Sequence, residues 1–384
     1  MPSTTNALSL LQDLIRCPSV TPDTAGVLDV LEAALIPLGF AVTRLTFEGD
    51  GSYPVDNLFA TRGSGGRHLM FAGHTDVVPP GDVAAWRHPP FAAIVEHGRL
   101  YGRGSADMKN AIAAFVAALG RVGDTPGRVS LLITNDEEAD AINGTDKLLA
   151  WAEARGEKFD FAVVGEPSAA ARVGDTIRIG RRGSLSGVVT VTGVQGHVAY
   201  PDQAKNPLPV LAAIATALCD TRLDTGTAHF PPSNLEITTI DTGNPAGNVI
   251  PSRATLRFNI RHNDLWSPQT LEAWIGDRLA AVDSRGCTVA YERRGRPSPV
   301  FLSPTGGPVD LLSAVITRRS NQVPQFSTGG GTSDARFIAR HCPVVECGLP
   351  GPTMHQVDEH IRLADLEDLT ALYAEFIAAY LRED

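Results

Sequence analysis

The residues best suited to chemistry fall at the ends of short apolar runs. In FAGHTDVVPPGD (Phe71 to Asp82) such a run closes on His74-Thr75-Asp76. Side chains two apart share one side of an extended chain, so His74 could ligate a metal while Asp76 accepts from its other ring nitrogen. VSLLITNDEE (Val129 to Glu138) ends in three acids, which repel one another unless a cation lies among them. Adjacent residues of an extended stretch point opposite ways, so Glu137 and Glu138 can divide two tasks, one holding a cation and one facing a substrate. FAVVGEPS (Phe161 to Ser168) repeats the design with Glu166. LYGRGSADMKNAIAAF (Leu100 to Phe115) sets Asp107 behind two glycines and just before an alanine-rich segment, and GLPGPTMHQVDEHI (Gly348 to Ile361) supplies His355.

Taken singly, each has a plainer explanation. Asp107 suits a helix N-cap, and His74 with Asp76 suits a surface loop. Together they amount to two histidines, at least three carboxylates and no cysteine, more than the three protein ligands one catalytic zinc needs. The set suits two metals sharing a bridging carboxylate, about 3.5–4 Å apart in typical sites. Imidazoles favour zinc, while cobalt or manganese can use the same ligands.

Positioning such groups calls for a sheet whose strand ends converge. Asn57–Thr61, Leu69–Ala72, Val129–Thr134 and Phe161–Val164 read as buried strands, with a helix from about Lys109 to Val122. Helical faces precede them at Leu8, Leu11, Leu14 and Ile15, and at Val27, Leu28, Leu31 and Leu35. From about Thr176 the order changes to strand, helix, strand, strand, helix, strand, ending near Arg293: a βαββαβ, ferredoxin-like unit. A helix at Val309–Arg319, a strand near Pro343–Cys347 and a final amphipathic helix return to the first texture. The expectation is an α/β domain of residues 1–178 and 294–384, interrupted by a smaller domain of 179–293. In α/β sheets, ligand sites lie at the carboxyl ends of strands.

The bulk numbers agree. At 384 residues the chain suits two domains, and 43% apolar with 20% charged residues describes a soluble globular protein. A net charge of −10, from 33 basic and 43 acidic residues, argues against a nucleic-acid or anionic-membrane surface. No apolar run is long enough to span a membrane, and Leu8 to Ile15 lacks the features of a secretory signal. The five cysteines are scattered and odd in number, which suits reduced thiols in the cytoplasm. Cys342 and Cys347 flank a strand, where core packing is favoured over metal binding.

In order and spacing these five motifs resemble the aminoacylase and glutamate-carboxypeptidase group of two-zinc hydrolases, from the first helix to the last. The resemblance implies a phosphorylase/hydrolase-like zinc-peptidase catalytic domain with an inserted ferredoxin-like dimerisation and lid domain. It implies that His74, Asp107 and Glu166 hold one Zn2+ and that Asp107, Glu138 and His355 hold the other. Asp107 would be the bridge, Asp76 would orient His74, and Glu137 would be the general base. His197, reaching in from the lid of a second subunit, would donate to the oxyanion, with Asn248 as a further polar contact near that oxygen. The partners implied are an N-acylated amino acid and a second copy of the chain.

GRRGSL (Gly180 to Leu185), GHVAYP (Gly196 to Pro201), GNVIPSRATLRFNIR (Gly247 to Arg261) and STGGGTSDARFIA (Ser327 to Ala339) resemble the desuccinylase branch of that group. A succinylated diamino-diacid carries three carboxylates. Arg182 and Arg261 offer planar forks for them, beside Ser184, and Gly329, Gly330 and Gly331 let backbone N–H groups approach an anion. Three positions depart from the pattern: Asn110 and Ala139 stand where glycine is usual, and Asp202 where histidine is usual. An acetyl-amino-acid deacylase, a dipeptidase and a silent metal-binding relative are the competing expectations.

Overall fold

The computed structural model describes residues 6–382, which divide into two compact units. The larger comprises the chain up to Ile179 with Leu302–Ser327 and the segment from Ser333 onward; the smaller comprises Gly180–Phe301 and Thr328–Thr332. The smaller unit runs past the expected boundary at residue 293 because its last strand, Thr288–Ser298, continues through it. It also takes in the glycine run, which the sequence expectation assigned to the other domain.

The larger unit is built on an eight-stranded sheet of β1 (Ala41–Gly49), β2 (Ser52–Ser64), β3 (His68–His74), β4 (Gly127–Thr134), β5 (Phe161–Val164), β6 (Thr176–Arg178), β7 (Gln325–Ser327) and β8 (Val344–Glu346). Their spatial order is β1-β2-β4-β3-β5-β8-β6-β7. The sheet is mixed rather than wholly parallel. β1 and β2 form an antiparallel hairpin, and β2 pairs antiparallel with β4. β1 is largely exposed, and polar residues separate Val42, Leu45 and Phe47, so it lacks the apolar run that marks a buried strand. The central four strands, β4-β3-β5-β8, are all parallel, and their carboxyl ends therefore open on one side.

The sheet is covered by α1 (Ala7–Ile15), α2 (Val27–Leu35), α3 (Lys109–Val122) and a long C-terminal helix, Leu363–Arg382. Every residue of α3 from Lys109 to Leu119 is buried. Its alanines let it lie close to layers on all sides, as a helix enclosed by protein must. Phe71 stacks on Phe115 at 4.2 Å between ring centroids, and Tyr373 meets both rings edge-on. The Tyr373 hydroxyl donates to the Cys347 carbonyl, and the Cys347 thiol is buried in this core. Burial pushes the thiols of Cys342 and Cys347 up to about 12, so both stay protonated core residues. All five cysteines are free thiols.

The smaller unit has the βαββαβ order. Its strands Asn234–Asp241, Arg253–His262, Gly183–Thr192 and Thr288–Ser298 lie side by side in that spatial order, each antiparallel to its neighbour. Helices Pro207–Cys219 and Pro268–Ala280 contribute Val210, Leu211, Ile214, Leu271 and Ile275 to a second core. No helix among the described residues is long and apolar enough to cross a membrane.

Candidate active site

Four parallel strands deliver the site at their carboxyl ends. His74 is the last residue of β3, Glu137 and Glu138 follow β4, Glu166 follows β5, and the loop after β8 carries His355. Asp107 arrives from the turn before α3. Ligand atoms of His74, Asp107 and Glu166 lie within 4.8 Å of one another, and so do those of Asp107, Glu138 and His355. Asp107 belongs to both sets through different oxygens: His74 Nε2 is 3.3 Å from its Oδ1, and His355 Nε2 is 3.4 Å from its Oδ2. The remaining contacts are His74 Nε2 to Glu166 Oε1 at 3.7 Å and His355 Nε2 to Glu138 Oε1 at 3.0 Å.

The electrostatics follow from this crowding of acids. Burial opposes the His74 imidazolium, but the hydrogen bond to Asp107 and the fields of Asp76, Glu137 and Glu166 outweigh it and hold its pKa well above the ordinary value. His355 is raised to about 10 by its hydrogen bonds to Asp107 and Glu138. Burial also opposes the Asp107 carboxylate, yet the hydrogen bonds from His355 and His74 hold its pKa below the usual range. Glu137 is pushed well above the usual range, first by burial and then by the charge of Glu166. Two nitrogen and four oxygen donors, two of the oxygens from the shared Asp107, grouped in threes with a strong local excess of negative charge, fit a pair of divalent cations.

Asp76 acts differently from the expectation. His74 Nδ1 donates to the main-chain carbonyl of Asp76 at 2.9 Å, and the Asp76 carboxylate is 3.6 Å away. That carboxylate accepts instead from the N–H groups of Glu137 and Glu138, at 3.2 and 3.0 Å, and from Thr21 Oγ1 at 2.7 Å. It thus holds the acidic pair rather than the imidazole. Asp136, the third acid of NDEE, accepts from the Tyr53 hydroxyl and from the N–H groups of Ile142 and Asn143, away from both ligand sets.

Asn110, where the pattern has glycine, is buried and donates from Nδ2 to the carbonyls of Ser105 and Ala106. Lys109 is fully buried and donates from Nζ to the carbonyls of Leu14 and Cys17. Sequence reasoning also missed Glu359 and Arg103, both buried behind Asp107. Neither lies on a periodic apolar face, so only their nearness to His355 and Asp107 in the chain hinted at them.

The other expected residues lie in the smaller unit. His197 and Val249 are paired on a short antiparallel ladder, which puts Asn248 next to it. Nδ1 of the exposed His197 accepts from the Ala199 N–H at 3.0 Å, so a neutral ring carries its proton on Nε2, as a donor. Tyr200 lies beside it at 5.7 Å between centroids. Asp202 is exposed in the turn that follows. Ser184 is the strand partner of Arg261. Arg182 donates to Asn234 Oδ1 at 2.9 Å. Burial and then the charge of Arg182 lower the pKa of Arg261. Arg182 Nε and Arg261 Nη1 are buried donors with no acceptor among the described residues. Arg181, which was not singled out, donates to the Gly331 carbonyl and so anchors the glycine run.

The sequence profile of Peptidase family M20/M25/M40 matches residues 70–379. The chain belongs to this family. Membership makes it a metal-dependent hydrolase of amide bonds. Two relatives from strains of Rhodopseudomonas palustris, each named succinyl-diaminopimelate desuccinylase, are 53% and 54% identical to it. The first covers 100% of both chains; the second covers 99% of this chain and 100% of its own. Among solved structures, a Staphylococcus aureus tripeptidase superposes with a TM-score of 0.78 at 19% identity over 100% of both chains. A Bacillus subtilis protein described as a dinuclear metal binding peptidase of the M20 family gives 0.69 at 15%, over 98% of both. These likenesses share the fold.

Proposed function

We propose that the chain hydrolyses N-succinyl-L,L-2,6-diaminopimelate to succinate and L,L-diaminopimelate. The observation that carries the chemistry is Asp107, one oxygen toward each of two three-residue ligand sets. The names of the full-length relatives support the substrate. So do Arg182 and Arg261, two neighbouring half-buried guanidiniums with no carboxylate partner among the described residues.

His74, Asp107 and Glu166 would hold one Zn2+, and Asp107, Glu138 and His355 the other. Bound there, the ions would supply Lewis acidity and a water nucleophilic at neutral pH. Glu137 takes the proton of the attacking water and returns it to the departing amine, work suited to a carboxyl whose pKa is raised by burial and by the charge of Glu166. The Asp76 carboxylate fixes the Glu137 and Glu138 backbone, so that base and ligand keep their separate directions. His197, supplied by the smaller unit of the partner subunit in a homodimer, donates from Nε2 to the developing oxyanion, assisted by Asn248. Arg182, Ser184, Arg261 and the Gly329–Gly331 backbone receive the substrate carboxylates. The free thiols suit a cytoplasmic setting.

Purified protein assayed for metal and then offered matched succinyl, acetyl and dipeptide amides provides the test. The succinyl substrate should show the highest kcat/KM, with about two zinc per chain. A preference for the acetyl or peptide amide would overturn the substrate assignment and leave the metal chemistry intact.

A further inference from the structure

Asp107 and His355 come from two loops, yet their contact sits at the centre of the site. Between those loops stands Glu359, four residues beyond His355 and wholly buried. Its Oε1 accepts from the N–H groups of Ala106 at 2.7 Å and of Asp107 itself at 3.2 Å. Its Oε2 accepts from the Gly104 N–H at 3.2 Å and from Arg103 Nη1 at 2.6 Å. Its carbonyl accepts from the Gly102 N–H at 2.9 Å, extending the ladder in which His360–Arg362 pairs with Arg99–Tyr101. One carboxylate therefore gathers three backbone donors and a buried guanidinium from the Gly102–Asp107 turn. Asn110 holds the carbonyls of Ser105 and Ala106 from the opposite side.

Such an arrangement is expensive as a source of stability. A buried ion pair seldom outperforms apolar residues of similar volume. Its distinctive property is direction: charge-assisted hydrogen bonds to successive N–H groups fix the rotation of the peptide planes that carry Asp107. Arg103, stacked on Trp86 at 5.2 Å, fixes the carboxylate in turn. We propose that Glu359 is a positioning residue, which sets the Asp107 carboxylate and the His355 loop in one frame and so determines how the shared ligand meets two cations. The inference rests on the two-metal function proposed above.

The test is a titration of metal-free wild-type protein and the Glu359→Gln variant with Co2+, followed calorimetrically and by visible absorption. Glutamine keeps the size but turns an N–H2 either toward the Gly104 N–H and the Arg103 guanidinium or toward the N–H groups of Ala106 and Asp107. The variant should still melt cooperatively as apo-protein, at a lower temperature. It should bind one or both Co2+ equivalents about 10–100-fold more weakly, the usual cost of losing an outer-shell partner, with an altered visible band and kcat falling more than KM. A folded variant with wild-type affinity and spectrum at both equivalents overturns the positioning role. Should Glu359→Gln fail to fold, Arg103→Lys takes its place. It leaves the carboxylate charged but less firmly held, so a weakened equivalent supports the inference and an unchanged titration overturns it. Wild-type protein that binds fewer than two equivalents overturns the two-metal function, and the positioning role with it.

Discussion

The Asp76 carboxylate holds the backbone of Glu137 and Glu138, and the two side chains then meet different fates. Glu138 contacts His355, whereas Glu137 joins neither ligand set and has a raised pKa. Glu137→Gln should therefore retain both metals and lose turnover by about 10²–10⁴-fold, the range for a general acid–base group. Steady-state kinetics beside metal analysis checks this, and wild-type turnover would remove Glu137 from the role of base. At this scale the five ligand candidates were legible only together: each had a plainer explanation singly, and it was their number, order and resemblance to a known pattern that pointed to one site. Asp76 was legible as a residue but not in its hydrogen bonds. HxD spacing puts the carboxylate near the ring, and only the structure shows two N–H groups competing for it.

At the scale of elements, the central strands and α3 were legible from apolar runs and alanine content, with α3 at the expected Lys109–Val122. The β1 edge strand and the helix Thr145–Glu153 were not, since β1 is largely exposed with its apolar residues interrupted and the helix buries only Thr145, Leu148, Leu149 and Ala152. The strand ends also impose close backbone approaches that only glycine permits. At Gly348, leading into the His355 loop, an added Cβ would lie 2.4 Å from the Glu166 carbonyl oxygen and 2.7 Å from that of Gly165. Gly348→Ala should push these backbones apart, lowering the melting temperature by several degrees and weakening metal retention at the set containing Glu166. Unchanged melting and metal content would show that the two loops can part at little cost. At Gly183 a Cβ would lie 2.0 Å from His262 Nε2, which accounts for the second glycine of the GRRGSL motif.

The whole molecule is two units with separate cores, one bearing the ligand sets and the other bearing His197 and the arginines. The βαββαβ order of the smaller unit was legible from alternating strands and helices. Its return segment, Thr328–Thr332, was not, because a glycine run has no periodicity to assign it. If each active site is completed by His197 of the partner subunit, two inactive variants should rescue each other. Glu137→Gln and His197→Ala, mixed and allowed to exchange subunits, form hybrid dimers in which one site has both residues. Activity should recover to about a quarter of wild type when pairing is random. Mixtures no more active than their parts would place His197 outside the shared site. Alone, His197→Ala should cost roughly 2.7–4 kcal/mol of transition-state stabilisation and leave the metal content unchanged.

The two imidazoles differ sharply in access to solvent: the His74 side chain is 1% exposed and that of His355 is 47% exposed, though both touch the same aspartate. With both ions bound, water and small chelators would reach the one beside His355 first, and loading and stripping should follow a fixed order. A chelator pulse should release metal in two phases and pass through a half-stripped species in which the ion beside His74 and Glu166 remains. Simultaneous departure of both equivalents would mean that the aspartate cannot keep its hold on one ion once the other has gone.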